Sequence, residues 1–506
     1  MRAPVEPFKK EKQMITNKTV SASFSKTKHW GQINWQQCNK NTRRLQARIV
    51  QATKEERWNK VRALQHLLTR SFSAKSLAVK RVTTNRGKST SGIDGQLWQS
   101  STSKSDAIGQ LKQRGYKPLP LKRIYIPKSD GGKRPLGIPT MKDRAMQALY
   151  LMGLSPIAET TGDIHSYGFR VSRSTADAMS QIFITLAGRN RAEWILEVDI
   201  RKCFDEIDHN WLINSIPMEK TILQKWLKSG YIEKQIFCST KWGTPQGGII
   251  SPTLANMTLD GLENILTDQF GQKDSKKRKA SGVHMIRYAD DFVITGKTKE
   301  ILELQVLPML EIFLKERGLS ISAKKTRITH VKEGFDFLSQ NVRKYGKSII
   351  IKPSKDSIKR MLTRIRNLIR KNCTKTQEYL IALLNPLIRG WGNYHRKVCS
   401  RKTFEKVDHE IFQALWRWSK RRHPNKGLHW IKNKYFKIQG SNDWCFAVKP
   451  LNKDKIELNE LFKTTNIPIR RHIKIRAKSN PFDKEWYKYF TDRALGIVSR
   501  KKEQCI

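Results

Sequence analysis

The stretch HMIRYADDFVITG, residues 284–296, places the strictest condition on the fold. Its apolar and β-branched residues are typical of a buried strand, yet two adjacent carboxylates, Asp290 and Asp291, lie in its middle. Burying neighbouring acids is costly unless a positive charge lies against them. The stretch therefore predicts a hairpin that carries the acid pair near its bend, together with a cation that neutralises the pair.

The charge of the whole chain indicates the class of partner. Among 506 residues, 98 Lys and Arg stand against 44 Asp and Glu, which gives a formal net charge of +54. Such a chain repels itself unless a polyanion neutralises it, so nucleic acid is the leading partner and an anionic membrane surface the weaker alternative. The hydrophobic fraction of 38% suffices for several packed cores and predicts a multidomain protein.

Membrane and secreted proteins are disfavoured by the sequence. The apolar stretch at residues 145–158 is too short to span a bilayer and contains Pro156. The N-terminal residues lack an apolar secretory core, and the seven cysteines are scattered without a C-x-x-C pair. These features predict no membrane partner and a reducing compartment. We expect the bacterial cytoplasm, because no transit-like N-terminus is evident.

Changes in composition divide the chain into five predicted regions. Residues 1–28 are polar and basic and are expected to be disordered, whereas 29–95 shows helical periodicity and ends in a Gly- and Ser-rich loop. Residues 96–352 mix strands and helices and include a hairpin around an Asp-Gly-Gly turn. A helical region at 353–430 precedes a basic region at 431–506. The apolar stripe that predicts its first helix consists of Ile358, Met361, Leu362, Ile365, Leu368 and Ile369.

The paired acids suit nucleotide polymerisation. In-line phosphoryl transfer uses two divalent metals, and Mg²⁺ is held by two or three carboxylates and several waters. Asp290 and Asp291, with Asp199 at the end of a different predicted strand, would form such a site and would supply the missing cation. Side chains alternate along a strand, so we expect one of the two neighbours to be the fuller ligand. The alternatives are a plain turn for the Asp pair and helix N-caps for Asp205 and Asp208.

Several further motifs accompany YADD in a fixed order. VDIRKCFDEIDH and GTPQGGIISPTLANM precede it, and GLSISAKKTRITH and FDFLSQNV follow it. Together these motifs resemble the series of a reverse transcriptase. With NRGKSTSGIDG, IPKSDGGKRPLGIPT and NPLIRGWGNYHR, the chain from about residue 30 onward is similar to group II intron-encoded proteins, which combine a reverse transcriptase with an RNA-splicing maturase.

The resemblance implies an α+β fold of the right-hand polymerase type. Its parts would be fingers, a palm whose antiparallel sheet carries YADD, a helical thumb called domain X, and a basic C-terminal extension. The implied activity is that of an RNA-directed DNA polymerase and maturase of a mobile intron. Such a protein binds intron RNA as a ribonucleoprotein and makes cDNA from dNTPs on a DNA target primer for retrohoming. Asp199, Asp290 and Asp291 would hold two Mg²⁺, or Mn²⁺ in their place, and the oligomeric state stays open.

The same resemblance assigns residues to the nucleotide. Phe204 matches the aromatic position that excludes a 2′-OH, and plain core packing is the alternative. Lys128 and Arg134 flank the hairpin turn where the family grips the triphosphate. Generic RNA contact is their alternative, and Lys133 could replace either.

Two further positions lie close to the acids in the family. Gln246, in TPQGG, matches a contact near the new base pair, and the glycines after it leave room for close backbone approach. Either Lys324 or Lys325 matches a family lysine beside the active site, and the sequence does not decide between them.

RNA-binding residues are expected where the chain resembles domain X. Aromatic side chains interleaved with cations suit base stacking and phosphate contact, although at least one of Trp391, Trp416 and Trp418 is expected in the core. The RNA-binding residues that the resemblance implies are Arg389, Tyr394, His395, Arg396, Arg417, Lys420, Arg421 and Arg422.

The last residues depart from the fuller family pattern. They resemble the approach to an HNH endonuclease domain, but no second Cys or His follows Cys505, so no cleavage of the second DNA strand is expected. The basic run 470–478 is either a contact for target DNA or a solvated surface. Two other functions stay open: a reverse transcriptase of a defence or CRISPR-associated bacterial system, and a splicing factor whose polymerase is inactive.

Overall fold

The computed structural model describes residues 29–127, 131–188, 190–272, 274–439, 442–448 and 459–498. The predicted N-terminal tail, Lys128 and Cys505 lie outside this part of the chain. The α-helices are α1 Trp35–Lys54, α2 Trp58–Arg70, α3 Phe72–Thr84, α4 Ser101–Gln110, α5 Met141–Thr161, α6 Thr175–Leu186, α7 Cys203–Glu206, α8 His209–Ser215, α9 Lys220–Leu227, α10 Ser251–Leu259, α11 Leu262–Phe270, α12 Lys276–Ser281, α13 Leu307–Lys315, α14 Lys355–Lys371, α15 Gln377–His395, α16 Arg401–Arg422, α17 Leu428–Tyr435 and α18 Tyr487–Ala494.

No helix of the described residues is long and apolar enough to cross a membrane.

The strands confirm a mixed α and β architecture. The strands are β1 Leu121–Pro127, β2 Lys133–Ile138, β3 Trp194–Val198, β4 Tyr231–Glu233, β5 Ile236–Cys238, β6 His284–Tyr288, β7 Asp291–Gly296, β8 Arg327–His330, β9 Phe335–Phe337, β10 Gln340–Tyr345, β11 Ser348–Pro353, β12 Phe436–Gln439, β13 Asn442–Val448 and β14 Asn459–Glu460.

The N-terminal helices pack on the long helix α5. Ile49, Val61, Leu64 and Leu68 are buried in one core, as their spacing predicts. Leu67 is 54% exposed, because it falls on the outer face of α2. Side chains of Asn34 and Ser71 cap α1 and α3 by accepting backbone N–H bonds.

A four-stranded sheet of order β6-β7-β3-β8, here called the central sheet, lies between two cores. All three of its strand pairs are antiparallel. Alternate residues point to opposite faces, so Leu196 and Ile294 join the core shared with the N-terminal helices, whereas Ile195 and Val293 join a second core with α6. Burial on both faces explains why residues 292–294 form a continuous apolar run.

A second sheet of order β2-β1-β4-β5, here called the hairpin sheet, stands beside the central sheet. Strands β1 and β2 pair antiparallel, as the Asp-Gly-Gly turn predicts, and β4 joins β1 in parallel. The backbone N–H of Gly137 in β2 donates to the carbonyl of Gln246 at 2.7 Å. The hairpin sheet is thereby tied to the TPQGG loop.

The helical region predicted from residue 353 forms a third core. In α14, Met361, Leu362, Ile365 and Ile369 are buried, while the outer members of the stripe, Ile358 and Leu368, are only partly buried. The predicted boundary at 430 falls inside α17, whose Ile431 and Tyr435 pack in this core. The unit therefore continues into β12 and β13, where Phe436 and Phe446 complete it.

Residues 459–498, here called the C-terminal segment, fold back onto α6. Asp177, fully buried, accepts hydrogen bonds from Nη2 of Arg493 at 3.0 Å and from the backbone N–H of Ile475 at 2.7 Å, and it lies 2.8 Å from Nε2 of His472. Lys474 donates to Gln181. Part of the basic run 470–478 therefore packs against α6. This differs from both predicted roles of the run, which were contact with target DNA and a solvated surface.

We expect Asp177→Asn to lower the free energy of unfolding by about 3 kcal/mol near neutral pH, because it leaves a buried cation without its counter-charge. Burial alone would raise the pKa of Asp177, but the hydrogen bond and charge of His472, with further hydrogen bonds, hold it at about 2. This stabilisation is present above the unfolded pKa of about 4 and is lost as pH falls toward about 2. Urea unfolding of both proteins over that pH range measures the difference.

Asp106→Asn is the matched control for that experiment, because Asp106 is exposed on α4. It should change the free energy of unfolding by less than about 0.5 kcal/mol at every pH. An Asp177 variant as stable as this control would show that the C-terminal segment is not held by the buried carboxylate.

Candidate active site

The hairpin β6–β7 presents the two acids at its turn. Tyr288 pairs with Asp291, so Ala289 and Asp290 form the two-residue connection. The predicted hairpin with the acids near its bend is thus confirmed. Asp290 is half-buried and Asp291 is exposed. Their different exposure agrees with the expectation that the neighbours are not equivalent.

The turn adopts a backbone conformation that needs support. Ala289 has a φ of 60°, in the left-handed region that residues other than glycine rarely adopt. Gly168 lies against it so closely that a Cβ at this position would stand 2.3 Å from the backbone nitrogen of Ala289. The carbonyl of Gly168 accepts a hydrogen bond from Nδ2 of Asn256 at 2.7 Å. The sequence does not indicate a role for Gly168 or Asn256, because that role depends on contacts between residues far apart in the chain.

Asp199 is brought to the same place by the neighbouring strand. Val198, the last residue of β3, pairs with Phe292, so Asp199 follows β3 beside the start of β7. Although the Asp291 residue as a whole is exposed, burial of its carboxyl group, followed by the charges of Asp290 and Asp199, raises the pKa of Asp291 to about 6. Burial is also the main cause of the raised pKa of Asp290. The three predicted acids therefore share one electrostatic environment.

Lys325 supplies a positive charge to this environment. Its Nζ lies 3.3 Å from Oδ2 and 3.4 Å from Oδ1 of Asp199. Lys324 makes no such contact among the described residues, whereas the charge of Lys325 lowers the pKa of both Asp290 and Asp291 against the larger effect of burial. The structure thus distinguishes two lysines that the sequence left equivalent.

The fit of these acids to a divalent metal can be judged from their chemistry. Hard cations such as Mg²⁺ prefer carboxylate oxygens and retain several waters. The negative charges of Asp199 and Asp290 add to the effect of burial on the pKa of Asp291, and a cation would relieve this repulsion. Across the described residues, however, no three acidic, histidine or cysteine side chains close around a single point. The acids fit an open site that would be completed by waters and a bound substrate.

Arg134 is the other cation close to the acids. It pairs with Ile126 across the hairpin sheet, and its charge lowers the pKa of both Asp290 and Asp291 against the larger effect of burial. Lys133, the preceding residue, has its side chain on the opposite face of β2, because side chains alternate along a strand. Arg134 therefore faces the acids.

Phe204 and Gln246 are connected through Asp205, which follows Phe204 in α7 and contacts the side chain of Gln246. Phe204 lies half-buried in α7 against the first core, so the packing that was its alternative role is present. Nε2 of Gln246 donates to both carboxylate oxygens of Asp205, each at 3.2 Å. Asp205 thus orients the amide rather than capping a helix. Asp208 caps α8 by accepting from the N–H of Trp211 at 2.6 Å, which confirms its predicted alternative.

A buried ion cluster supports the strand that carries the acids. Arg287 in β6 is fully buried, pairs with Asp260, and lies with its Nη2 3.6 Å from Oδ2 of Asp163. The backbone of Arg287 bonds on both sides of Ser166, from its N–H to the His165 carbonyl at 3.0 Å and from the Tyr167 N–H to its own carbonyl at 2.9 Å. The arginine of RYADD therefore anchors the start of the hairpin.

The structure corrects part of the predicted RNA-binding set. His395 is fully buried beside Ser357, and burial lowers its pKa to about 4, so it belongs to the core and does not reach RNA. Arg422 is half-buried and donates to the carbonyls of Cys373 and Lys375 at 2.7 and 2.9 Å, which closes the α14–α15 loop. Trp418 is buried, as was expected of at least one tryptophan.

The other members of that set differ in exposure. The hydroxyl of Tyr394 donates to the carbonyl of Leu338 at 2.7 Å, although 38% of the residue is exposed. Arg389 lies 4.0 Å from the ring centre of Phe462, and Arg396 is half-buried. The exposed cations at the end of α16 are Arg417, Lys420 and Arg421.

Three family models match the chain in order. The N-terminal domain of reverse transcriptase matches residues 30–111, reverse transcriptase (RNA-dependent DNA polymerase) matches 126–342, and the group II intron maturase-specific domain matches 358–436. All the residues of the acid site lie in the second match. The third match ends at β12, beyond the boundary that the sequence predicted.

Curated relatives cover much of the same region. Protein YkfC of Escherichia coli (strain K12) is 32% identical over 316 residues, which are 54% of this chain and 82% of YkfC. The group II intron-encoded protein LtrA of Lactococcus lactis subsp. cremoris is 30% identical over 391 residues, which are 65% of each protein. A solved telomerase structure from Candida albicans, 13% identical, covers 63% of this chain and 61% of its own at a TM-score of 0.36, too low to support an argument.

We expect Gly168→Ala to reduce the predicted primer extension by about 100-fold, because the added Cβ must displace the Ala289 backbone by a substantial fraction of an ångström. Single-turnover extension on a primed RNA template measures the effect. Gly109→Ala is the matched control, since a Cβ there meets nothing within 4 Å. Extension by the Gly168 variant at the rate of this control would mean that the turn does not depend on the close approach.

Proposed function

Because the chain belongs to the reverse transcriptase and maturase family of group II introns, we propose that it copies RNA into DNA and assists splicing of its intron. The observation that carries the polymerase proposal is the convergence of Asp199, Asp290 and Asp291 at the ends of adjacent strands, with Lys325 and Arg134 beside them. Its central sheet would be the palm, the hairpin sheet part of the fingers, and α14–α17 the thumb of a right-hand polymerase.

The acids are proposed to hold two Mg²⁺, for which Mn²⁺ may be substituted in an assay. Bound there, the metals would activate the primer 3′-hydroxyl and stabilise the leaving pyrophosphate. Asp199 and Asp290 are the better candidates for full ligands, because they are held by β3 and by the supported turn. Asp291 is the more exposed neighbour and would complete the site. Lys325, paired with Asp199, limits the repulsion among the carboxylates before substrate binds.

Nucleotide selection is proposed to rest on Phe204 and Gln246. The ring of Phe204 has one side packed on the first core, which gives it the rigidity that steric exclusion of a 2′-OH requires. Gln246 has its amide fixed by Asp205 and its carbonyl bonded to Gly137 of the hairpin sheet. These contacts would hold it beside the new base pair. Arg134 would contact the triphosphate, and Lys128 is proposed for the same role from the sequence alone.

RNA binding is proposed for the cationic end of the thumb. Arg417, Lys420 and Arg421 are exposed on α16, and Arg389 and Tyr394 are exposed on α15. A net charge of +54 favours a large polyanionic partner such as intron RNA, with the DNA target and primer engaged during retrohoming. The maturase-specific match over 358–436 favours an intron setting over a defence or CRISPR-associated one. The intact acid set disfavours an inactive polymerase.

Asp290→Ala should reduce primer extension with dNTPs and Mg²⁺ by more than about 100-fold, because the metals lose a ligand. Intron RNA binding and protein-assisted splicing should stay near wild type, since RNA performs the splicing chemistry and the protein stabilises its active shape. Asp336→Ala, at an exposed acid, is the control for both assays. Equal loss of extension and splicing in the Asp290 variant would contradict this division of labour.

Phe204→Ala should raise rNTP incorporation relative to dNTP by about 10–100-fold, because the collision with a 2′-OH is removed. Competitive single-nucleotide incorporation measures the ratio, and Phe237→Ala, at an exposed aromatic of β5, serves as control. If the variant loses stability while its sugar selectivity stays unchanged, Phe204 has only its packing role.

A further inference from the structure

A large cleft opens on the side of the central sheet away from the acids. Its walls come from the ends of α5 and α6, from α11 and α12, and from residues 474–478 of the C-terminal segment, and its volume is about 1190 Å³. His284 lines it at the start of β6, and Lys297 lines it just after β7. The five steps of β7 from Asp291 to Gly296 put about 17 Å between this cleft, called the rear cleft, and the acid site.

The rear cleft is strongly cationic. Arg191, Lys279, Lys297, Arg476 and Lys478 line it. In the described part of the chain, Arg191, Lys279, Lys297 and Lys478 have no ion-pair partner. Of the three acids in the lining, Glu263 pairs with His165, Asp163 lies beside Arg287, and Asp274 is exposed, so the cations outnumber the acids that could neutralise them. The cations are therefore available to an external anion.

Burial and nearby positive charges lower the pKa of His284 inside the rear cleft. Burial, followed by the charges of Arg278, His165 and Arg191, lowers the pKa of His284 to about 4. A neutral imidazole therefore forms part of the floor at neutral pH. Positive charge at the rim over a neutral floor favours a ligand with a charged backbone and less polar groups that face inward.

The shape and remaining groups restrict the ligand further. The cleft is larger than pockets that take small ligands, which span roughly 300–1,000 Å³. Ile184 and Trp486 give it apolar surface for a base. The side-chain amides of Asn264 and Gln272 line it without a hydrogen-bond partner among the described residues. Such amides donate and accept, as recognition of a ribose 2′-OH requires.

We infer that the rear cleft is a second nucleic-acid site, which binds a single-stranded RNA segment apart from the duplex at the acid site. Phosphates would pair with the cations of the rim, and bases would enter toward Ile184 and Trp486. A duplex presents its phosphates on a wide convex surface and cannot follow the cleft inward. The inference does not require polymerase chemistry, so the two proposals can fail separately.

The test uses the full chain with its acid site first saturated by a primer–template duplex. Binding of a short labelled oligoadenylate RNA is then followed by fluorescence anisotropy over a range of salt concentrations. The variant combines Arg191→Gln, Lys279→Gln and Lys297→Gln, three rim positions on different elements. The matched control combines Lys220→Gln, Lys228→Gln and Lys315→Gln, which are exposed and lie outside the rear cleft.

The rim variant should bind the RNA at least tenfold more weakly than wild type. The slope of log affinity against log salt should be smaller by about 2, since three phosphate contacts each contribute about 0.7 on a single strand. The control should keep the wild-type slope, and both variants should retain wild-type primer extension and thermal stability. An equivalent oligodeoxyadenylate should bind more weakly than the RNA.

Five results would overturn the inference. Equal losses in rim and control variants would assign the binding to overall charge, and no loss in either would remove the site. Equally tight binding of the DNA oligomer would contradict recognition of the 2′-OH. Displacement of the RNA by polyglutamate as efficiently as by unlabelled RNA would assign the rear cleft to an acidic protein segment. Loss of primer extension in the rim variant alone would show that the two sites are not separate.

Discussion

The buried guanidinium of Arg287 is the contact on which the rest of the acid site depends. A charge with no exposed surface is tolerated only when counter-charges and hydrogen bonds surround it, and Asp260 and Asp163 provide them. Those acids come from the end of α10 and the loop after α5, so one side chain joins two segments to β6. Because the backbone of Arg287 also bonds to residues 165 and 167, Gly168 is delivered directly behind the Ala289 turn. The geometry at Asp290 thus follows from an ion cluster that never meets substrate.

Charge is distributed in two ways in this chain. In the interior, several cations are paired with acids: Arg170 donates to Glu159, Arg287 pairs with Asp260, and Arg493 with Asp177. At the surface, the excess of Lys and Arg is unmatched and repels itself. The acid site differs from these pairs, because several carboxylates are grouped there, with Lys325 and Arg134 nearby. A bound polyanion would neutralise the positive surface, and divalent cations would neutralise the carboxylates of the acid site.

Local patterns in the sequence predicted what depends on neighbouring residues. The hairpin at residues 284–296, the stripe of α14 and the Asp208 cap all follow from spacing and residue type. Features that depend on contacts between distant segments could not be predicted in this way. The sequence around His395 resembles an RNA-binding motif, yet its position on α15 places its side chain against Ser357. Lys324 and Lys325 are adjacent and identical, and only the fold decides which one meets Asp199.

The docking of the C-terminal segment forms part of the rear cleft, the second of the proposed nucleic-acid sites. Asp177 holds Ile475 and Arg493, and the residues next to Ile475 form one wall of the rear cleft. Lys54 of α1 pairs with Asp483 in the same segment, so the wall is also fixed to the N-terminal helices. The opposite wall is built from α11 and α12, which precede β6 directly. The rear cleft therefore exists only when distant parts of the chain are folded together, and a strand of RNA bound there would stabilise that folded arrangement by mass action.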